Sequence, residues 1–308
     1  MRKNKIHIPV LVVDFGSQTT QLIVRRVREL GVYCEVVSYK KLLLTIKMYS
    51  PKAIILSGGP SSAFNKKSPT VDKKIFALNL PILGICYGMQ IIGQSLGGKV
   101  KETKKREFGR ANIKIVRESK LFDNIEKIGK KCQVWMSHGD EVTILPEGFK
   151  TIATTSGQNI TGFENKKKNI FGLQFHPEVV QTLKGKQILA NFILNVSKIK
   201  KHWIIKDFLA SKIKKIKEEI SNKEVICGLS GGVDSSVTAA LLSKAIGKKL
   251  TCIFVNHGML RLNEEKEVIE TFKKYINANL IYVDASKIFL RKLEGITDPE
   301  KKKKNHRT

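Results

Sequence analysis

A rhythm of short apolar runs alternating with longer segments of helical spacing most constrains this chain. Val10–Asp14 reads as a buried strand ending at Phe15-Gly16-Ser17. Gln18–Leu30 then carries helical apolar spacing and stops at Gly31, which fits a left-handed C-cap. Further strands are predicted at Tyr33–Ser38, Ala53–Leu56 and Ile82–Ile85. A βαβ rhythm of this kind implies a parallel sheet covered by helices on both faces. From Ala111 to Phe175 strands crowd together, at Ala111–Val116, Gln133–Ser137, Thr151–Thr155 and Ile170–Phe175, before a helix at Lys184–Val196. The lysine-rich Lys198–Lys201 marks a boundary, giving one domain over residues 6–199 and another over 200–308. The second domain repeats the rhythm. Helices are predicted at Ile204–Glu219, from about Asp234 to Ile246 and near Glu264–Tyr275, with strands at Val225–Gly228, Leu250–Val255 and Leu280–Val283. The fold class is therefore α/β, with the second unit an incomplete doubly wound sheet.

Gly84-Ile85-Cys86-Tyr87-Gly88 joins an apolar strand to a helix beginning near Met89. This is the G-x-C-x-G form of a nucleophile elbow. A sharp strand-to-helix turn crowds the backbone, so glycines must flank a nucleophile held at strained dihedrals. The helix N-terminus then favours thiolate over thiol. Taken alone, Cys86 equally fits a buried structural thiol. Gly172-Leu173-Gln174-Phe175-His176-Pro177-Glu178 tips the balance, because a strand delivers His176 at its end with Glu178 two residues on. Glu178 can orient the imidazole while its other nitrogen faces a thiol, the nucleophile–base–orienter arrangement. Ser57-Gly58-Gly59-Pro60, directly after a strand, is either a tight turn or a set of backbone N–H donors aimed at an anion. Beside an elbow cysteine, an oxyanion hole is the better reading.

Val225-Ile226-Cys227-Gly228-Leu229-Ser230-Gly231-Gly232-Val233-Asp234-Ser235-Ser236 is a strand, a glycine-rich turn and a helix start. Such a turn brings backbone close to an anion, and the helix N-terminus favours negative charge. Ser230, Ser235 and Ser236 add hydroxyl donors. Asp234 would repel phosphate unless Mg²⁺ intervened, so a metal–pyrophosphate ligand is expected near it. The spacing is not that of a Walker A loop, which needs G-x-x-x-x-G-K-[ST].

The five cysteines are odd in number, scattered and without a CxxC pair, which argues against a disulfide framework or zinc site and fits a reducing cytoplasm. No apolar run approaches the roughly 20 residues of a membrane span, and the basic start lacks the apolar core of a signal peptide. The net charge of +29 points toward nucleic acid, yet Lys outnumbers Arg by 46 to 10, and Arg is the residue suited to bidentate recognition. Most of the charge is read as solvated surface, with no specific nucleic-acid partner expected.

GICYGMQ, LSGGPSS and GLQFHPE, at these separations, resemble the class I, triad-type glutamine amidotransferases over about residues 8 to 197. The resemblance implies Cys86 as nucleophile, His176 as general base and acid, and Glu178 as orienting carboxylate. It places the oxyanion at the backbone N–H groups of Gly59 and Tyr87, and Gln90 beside bound glutamine. DFGSQTTQLIVRRVRELGVYCE and VWMSHGDEV narrow the likeness to the amidotransferase half of GMP synthetases, with Met136–Asp140 lining the glutamine end. SGGVDSS resembles the pyrophosphate loop of N-type ATP-pyrophosphatases, which implies ATP with Mg²⁺ bound across Ser230, Gly231, Gly232, Val233, Asp234, Ser235 and Ser236. A triad domain preceding that loop is similar to GMP synthetases, implying glutamine, ATP and xanthosine monophosphate as substrates, no prosthetic group, and a homodimer made through a C-terminal domain that this chain lacks. The alternatives are a basic fragment without activity and a stand-alone glutaminase subunit.

Two departures stand out. Val255-Asn256-His257-Gly258 carries an amide where that family has Asp, so any charge-dependent role there is lost while the hydrogen-bonding shape remains. The chain also ends Lys301 to Lys304, then Asn305-His306-Arg307-Thr308, where the family continues Ile-Ile-Gly-Arg. Codons AAT CAT AGG ACG read one base on encode that sequence. The last four residues are therefore expected to be an out-of-frame tail, and the chain a truncated synthetase limited to the glutaminase half-reaction.

Overall fold

A computed structural model describes residues 8–298 except 64 and 66, and its contacts divide the chain between Trp203 and Ile204. Residues 299–308, with the lysine run and proposed out-of-frame tail, lie outside the described residues.

In the first unit, β1 (Val10–Asp14), α1 (Thr20–Glu29), β2 (Cys34–Ser38), α2 (Leu42–Tyr49), β3 (Ala53–Leu56), β4 (Ile82–Ile85) and α3 (Tyr87–Ser95) follow in order. The long hairpin β5 (Lys99–Ile115) and β6 (Lys131–Ile144) comes next, then β7 (Lys150–Thr155), β8 (Ile160–Asn165), β9 (Ile170–Leu173) and α4 (Gly185–Ala190). One nine-stranded sheet results, ordered β2-β1-β3-β4-β9-β8-β7-β5-β6. The first five strands in that order are parallel, and all but the edge strand β2 are buried nearly throughout. This matches the continuous Val/Ile/Leu runs of strands covered on both faces. The remaining pairings are antiparallel, so the sheet is mixed rather than wholly parallel.

Four sequence expectations need correction here. β5 begins at Lys99, twelve residues before the expected Ala111, and β6 runs seven residues past Ser137. β8 was absent from the expected strands. The helix expected over Lys184–Val196 is α-helical only to Ala190 and π-helical over Asn191–Val196. Asn191 explains the last change in part. Its Nδ2 donates to the carbonyls of Leu121 (3.1 Å) and Asp123 (2.8 Å), holding that turn against the neighbouring segment.

The second unit contains α5 (Ile205–Ile220), β10 (Val225–Leu229), α6 (Val233–Ile246), β11 (Leu250–Asn256), α7 (Glu264–Tyr275), β12 (Asn279–Asp284) and α8 (Ser286–Leu293). Its described strands form a parallel sheet ordered β10-β11-β12. A small core gathers Leu229, Ala239, Leu250, Cys252, Phe254 and Phe272. α8 lay beyond the expected elements.

Among the described residues, no helix is long and apolar enough to cross a membrane.

Candidate active site

The parallel strands β4 and β9 are neighbours in register, Ile85 opposite Leu173, so their C-terminal ends deliver Cys86 and His176 to one edge of the sheet. Cys86 is the turn between β4 and α3, at φ +52° and ψ −106°, a region L-residues rarely occupy. The flanking glycines are sterically required. A Cβ on Gly84 would lie 2.5 Å from the Gly88 carbonyl, and one on Gly88 would lie 2.4 Å from the Leu56 oxygen. The elbow therefore presses α3 against β3 more closely than a methyl group permits, and this holds the thiol at the helix N-terminus.

His176 and Glu178 are almost wholly buried, at 6% and 0% exposure. His176 Nδ1 donates to Glu178 Oε1 over 2.7 Å, leaving Nε2 for Cys86. Burial pulls the imidazole toward lower pKa. The hydrogen bonds to Cys86 and Glu178 outweigh that, pushing it up to about 10. At neutral pH the imidazole therefore holds its proton. Arg26 Nε donates to the Glu178 carbonyl over 3.0 Å, and Thr182 Oγ1 donates to the His176 carbonyl over 2.6 Å, so the backbone of the segment is tied at both residues.

A cavity of about 410 Å³ opens onto the thiol. Gly59, Tyr87 and Gln90 line it with Cys86, so the residues expected as oxyanion donors and as the glutamine neighbour converge on one space. Gln90 Nε2 donates to the Asp140 carbonyl over 2.9 Å, which binds α3 to the hairpin strand β6. Gly59 sits where a Cβ would be 3.1 Å from both Phe15 and the Tyr87 ring, so a side chain there would require those neighbours to give way. Ser137, His138, Gly139 and Asp140 also line the cavity, whereas Met136, expected beside them, is buried away from it.

Sequence reasoning missed several participants. Gln174 Nε2 donates to Cys86 Sγ at 3.7 Å, and Cys86 Sγ lies 3.5 Å from the Ser137 carbonyl. Ser62 Oγ donates to Asp140 Oδ2 over 2.5 Å. Glu102, Arg106 and Phe108 reach the cavity from β5. Gln174 and Ser62 lay inside quoted motifs and were legible by position. The β5 residues sit in a charged stretch with no periodic signal, so only strand pairing reveals them.

In the second unit the glycine turn forms as expected. Gly231 takes φ +79°, and α6 begins at Val233. The hydroxyls of Ser230 and Ser235 lie 3.0 Å apart, and Gly232 N–H donates to Ser230 Oγ over 3.3 Å. Ser235 and Ser236 both donate back to the Gly232 carbonyl, at 3.1 and 2.9 Å. Asp234 is exposed in the first turn of α6. No group of three or more His, Cys, Asp or Glu residues that could hold a metal occurs among the described residues. A Mg²⁺ at Asp234 would accordingly have to share its coordination with phosphate oxygens and water. Asn256 Nδ2 donates to Glu265 Oε2 (2.7 Å) and to the Tyr282 hydroxyl (3.2 Å), while Oδ1 accepts from Gly258 N–H (2.8 Å). An aspartate there would face the Glu265 carboxylate without a proton to offer.

The sequence matches the family described as glutamine amidotransferase class-I over residues 11–196, and the family described as NAD synthase over residues 203–303. It is 54% identical over 295 residues to a glutamine-hydrolysing GMP synthase of Brachyspira hyodysenteriae, covering 96% of this chain and 57% of that protein. It is 51% identical to the protein of the same name from Clostridium novyi, again covering 96% of this chain and 57% of the relative. The chain thus spans 57% of the length of both curated relatives. Among solved structures, a Thermoplasma acidophilum protein bearing a provisional GMP synthase name aligns with a TM-score of 0.53 and 28% identity, over 62% of this chain and 94% of that one.

Proposed function

We infer that this chain, which belongs to the class-I glutamine amidotransferase family, hydrolyses glutamine at Cys86 as the ammonia-supplying part of a GMP synthetase. The observation that carries the reading is the hydrogen-bonded series Cys86–His176–Glu178, with the 2.7 Å His–Glu bond buried beneath a cavity of substrate size. Cys86 Sγ attacks the side-chain amide carbon of glutamine. The oxygen that gains charge is held by the backbone N–H groups of Gly59 and Tyr87. His176 Nε2 gives its proton to the departing nitrogen, and the carbon–nitrogen bond breaks to release ammonia and leave a glutamyl thioester. His176, now neutral, takes a proton from water as that water attacks the thioester. Glutamate leaves and the thiolate–imidazolium pair returns. Glu178 holds the ring in the tautomer these steps need, and Gln90 keeps α3 and the hairpin together beside the substrate.

In the second unit, the Ser230–Ser236 turn is assigned to the pyrophosphate portion of ATP, through backbone N–H groups at the start of α6 and the hydroxyls of Ser230, Ser235 and Ser236. Asp234 is the residue that would hold a Mg²⁺ shared with the phosphates, and the ion would supply neutralisation of their charge. In the intact synthetase the ammonia displaces AMP from adenylated xanthosine monophosphate to give GMP. The high identity to proteins named GMP synthase supports that substrate assignment, and residues 6–199 and 200–308 are the corresponding domains.

The test is release of glutamate and ammonia from L-glutamine by the purified chain. Hydrolysis that Cys86→Ala abolishes supports the reading. Hydrolysis that survives the substitution sinks it.

A further inference from the structure

The hairpin beside the thiol is irregular at one point. Glu102 pairs with Asp140, and the next pair is Glu107 with His138. The single residue Gly139 therefore stands opposite four, Thr103 to Arg106. Bulges next to active sites re-aim a side chain, and here the side chain is Arg106. Its Nε, Cγ and Cδ pass 3.6 to 3.8 Å from the point a Gly139 Cβ would occupy, so the arginine lies across the glycine at the cavity mouth. The register is pinned on the far side of the bulge by His138 Nε2 and Glu107 Oε2, 3.2 Å apart.

The charge around the cavity is unevenly shared. Arg106 is the one lysine or arginine among the described residues lining it, with Glu102 and Asp140 supplying carboxylates. His138 adds no cation at neutral pH, because burial lowers its pKa more than Glu107 raises it. Arg106 is only loosely held. Its Nη2 is 3.5 Å from Glu102 Oε1, and both side chains are more than half exposed. An exposed pair of this kind is readily exchanged for another anion. An amino-acid substrate whose side-chain amide reaches Cys86 keeps its α-carboxylate toward the mouth, and a guanidinium fork matches a carboxylate with two parallel donors.

We propose that Arg106 is a specificity-determining residue that pairs with the α-carboxylate of the amide substrate, carried over the cavity by the bulge opposite Gly139. The proposal rests on the glutamine-hydrolysing reading and deepens it. Arg106 is a binding residue with no part in proton transfer. It selects a free α-amino acid over a peptide-linked or carboxyl-blocked amide.

The experiment compares the full chain with Arg106→Ala and Arg106→Lys, using L-glutamine and its α-carboxamide as substrates. Arg106→Ala is expected to raise KM for glutamine about tenfold or more, the usual scale for one lost charge-assisted hydrogen-bond pair. Its kcat should change less than about twofold, and it should leave hydrolysis of the carboxamide untouched. Arg106→Lys should fall between, since it keeps charge and loses the fork. Labelling of Cys86 by a diazoketone analogue of L-glutamine, followed by mass spectrometry, reads the same contact without turnover. It should slow by the same factor in Arg106→Ala, while alkylation by neutral iodoacetamide stays at the wild-type rate. Unchanged diazoketone labelling in Arg106→Ala overturns the proposal. So does a parallel loss of iodoacetamide labelling, which would mean that the residue merely holds the hairpin. Failure of the diazoketone to label wild-type Cys86 points instead at the glutamine reading itself, and the proposal falls with it.

Discussion

At the Cys86 turn the proposed reacting groups are walled in, with Cys86, His176 and Glu178 at 5%, 6% and 0% exposure. At the Ser230 turn, Val233 is 79% exposed and the serine hydroxyls bond one another and the local backbone in an exposed loop. Both are a strand, a glycine turn and a helix N-terminus. The difference lies in what surrounds them. The proposed nucleophile and base need fixed partners shielded from water, so that site draws on β3, β4, β9, α3 and the β6 hairpin together. A pyrophosphate loop needs backbone N–H groups and a helix dipole, which a local segment of under fifteen residues supplies by itself. Under the proposed function, a turn of the same outline serves covalent chemistry where it is embedded and anion binding where it is open.

The sharpest way to break this comparison is Glu178→Gln. Cys86 and Glu178, the latter through the buried 2.7 Å bond, together hold the His176 proton, so loss of the carboxylate weakens that hold. The substitution is expected to cut kcat for glutamine hydrolysis by about 10²-fold or more, with little change in Cys86 exposure. It also carries a pH signature. The His176 pKa is raised from 6.5 to about 10 in the folded chain, so the folded state binds that proton more tightly than the unfolded state does. The resulting stabilisation is complete below about pH 6.5, declines as pH rises, and is gone above about 10. The melting-temperature gap between wild type and Glu178→Gln should therefore be widest at acid pH and close toward pH 10. A gap that widens with pH would contradict the assignment.

Gly88→Ala tests whether the embedded turn depends on close approach. Its Cβ would meet the Leu56 oxygen at 2.4 Å, and overpacking of this kind costs about 1–3 kcal/mol. Urea denaturation should show that loss in the first unit, with hydrolysis falling as Cys86 is displaced. An alanine tolerated without loss of stability would mean that the elbow is not held by contact. Ser235→Ala is the smallest effect, because the open turn is local. It removes bonds to Ser230 and to the Gly232 carbonyl, worth about 1 kcal/mol in the loop, and leaves glutamine hydrolysis unchanged. A several-fold weaker affinity for ATP with unaltered glutaminase, read by equilibrium binding and ammonia release, would support the separation of the two sites. A fall in glutaminase would argue against it.

Much of the catalytic site was legible because its residues sit at the ends of buried parallel strands. β3 and β4 were placed to the residue, since Ala53–Leu56 and Ile82–Ile85 carry no polar side chain and follow closely on Pro51 and Pro81. β8 escaped notice because Ile160–Asn165 mixes Thr161, Gly162, Glu164 and Asn165 with two apolar residues, all but Ile160 buried only by tertiary packing. Glu164 is one of the groups that packing accommodates, through Ser119 Oγ at 2.6 Å. The N-terminal part of β5 was hidden for another reason. Its charged residues alternate without an apolar face, so pairing with β6 rather than hydrophobic pattern makes it a strand.

From the sequence alone came the nucleophile elbow, the His–Pro–Glu strand end and the two glycine turns. These motifs are short, and close backbone approach permits few residue types at each position. Tertiary structure decided the rest. It set β9 beside β4 so that His176 meets Cys86, raised the imidazole's proton affinity through Cys86 and a buried Glu178, and placed Arg106 over the cavity by pairing four residues against Gly139. The first and last of those outcomes depend on residues more than 30 positions apart, and the second on water excluded around a pair only two residues apart. A reading of local pattern has no access to either.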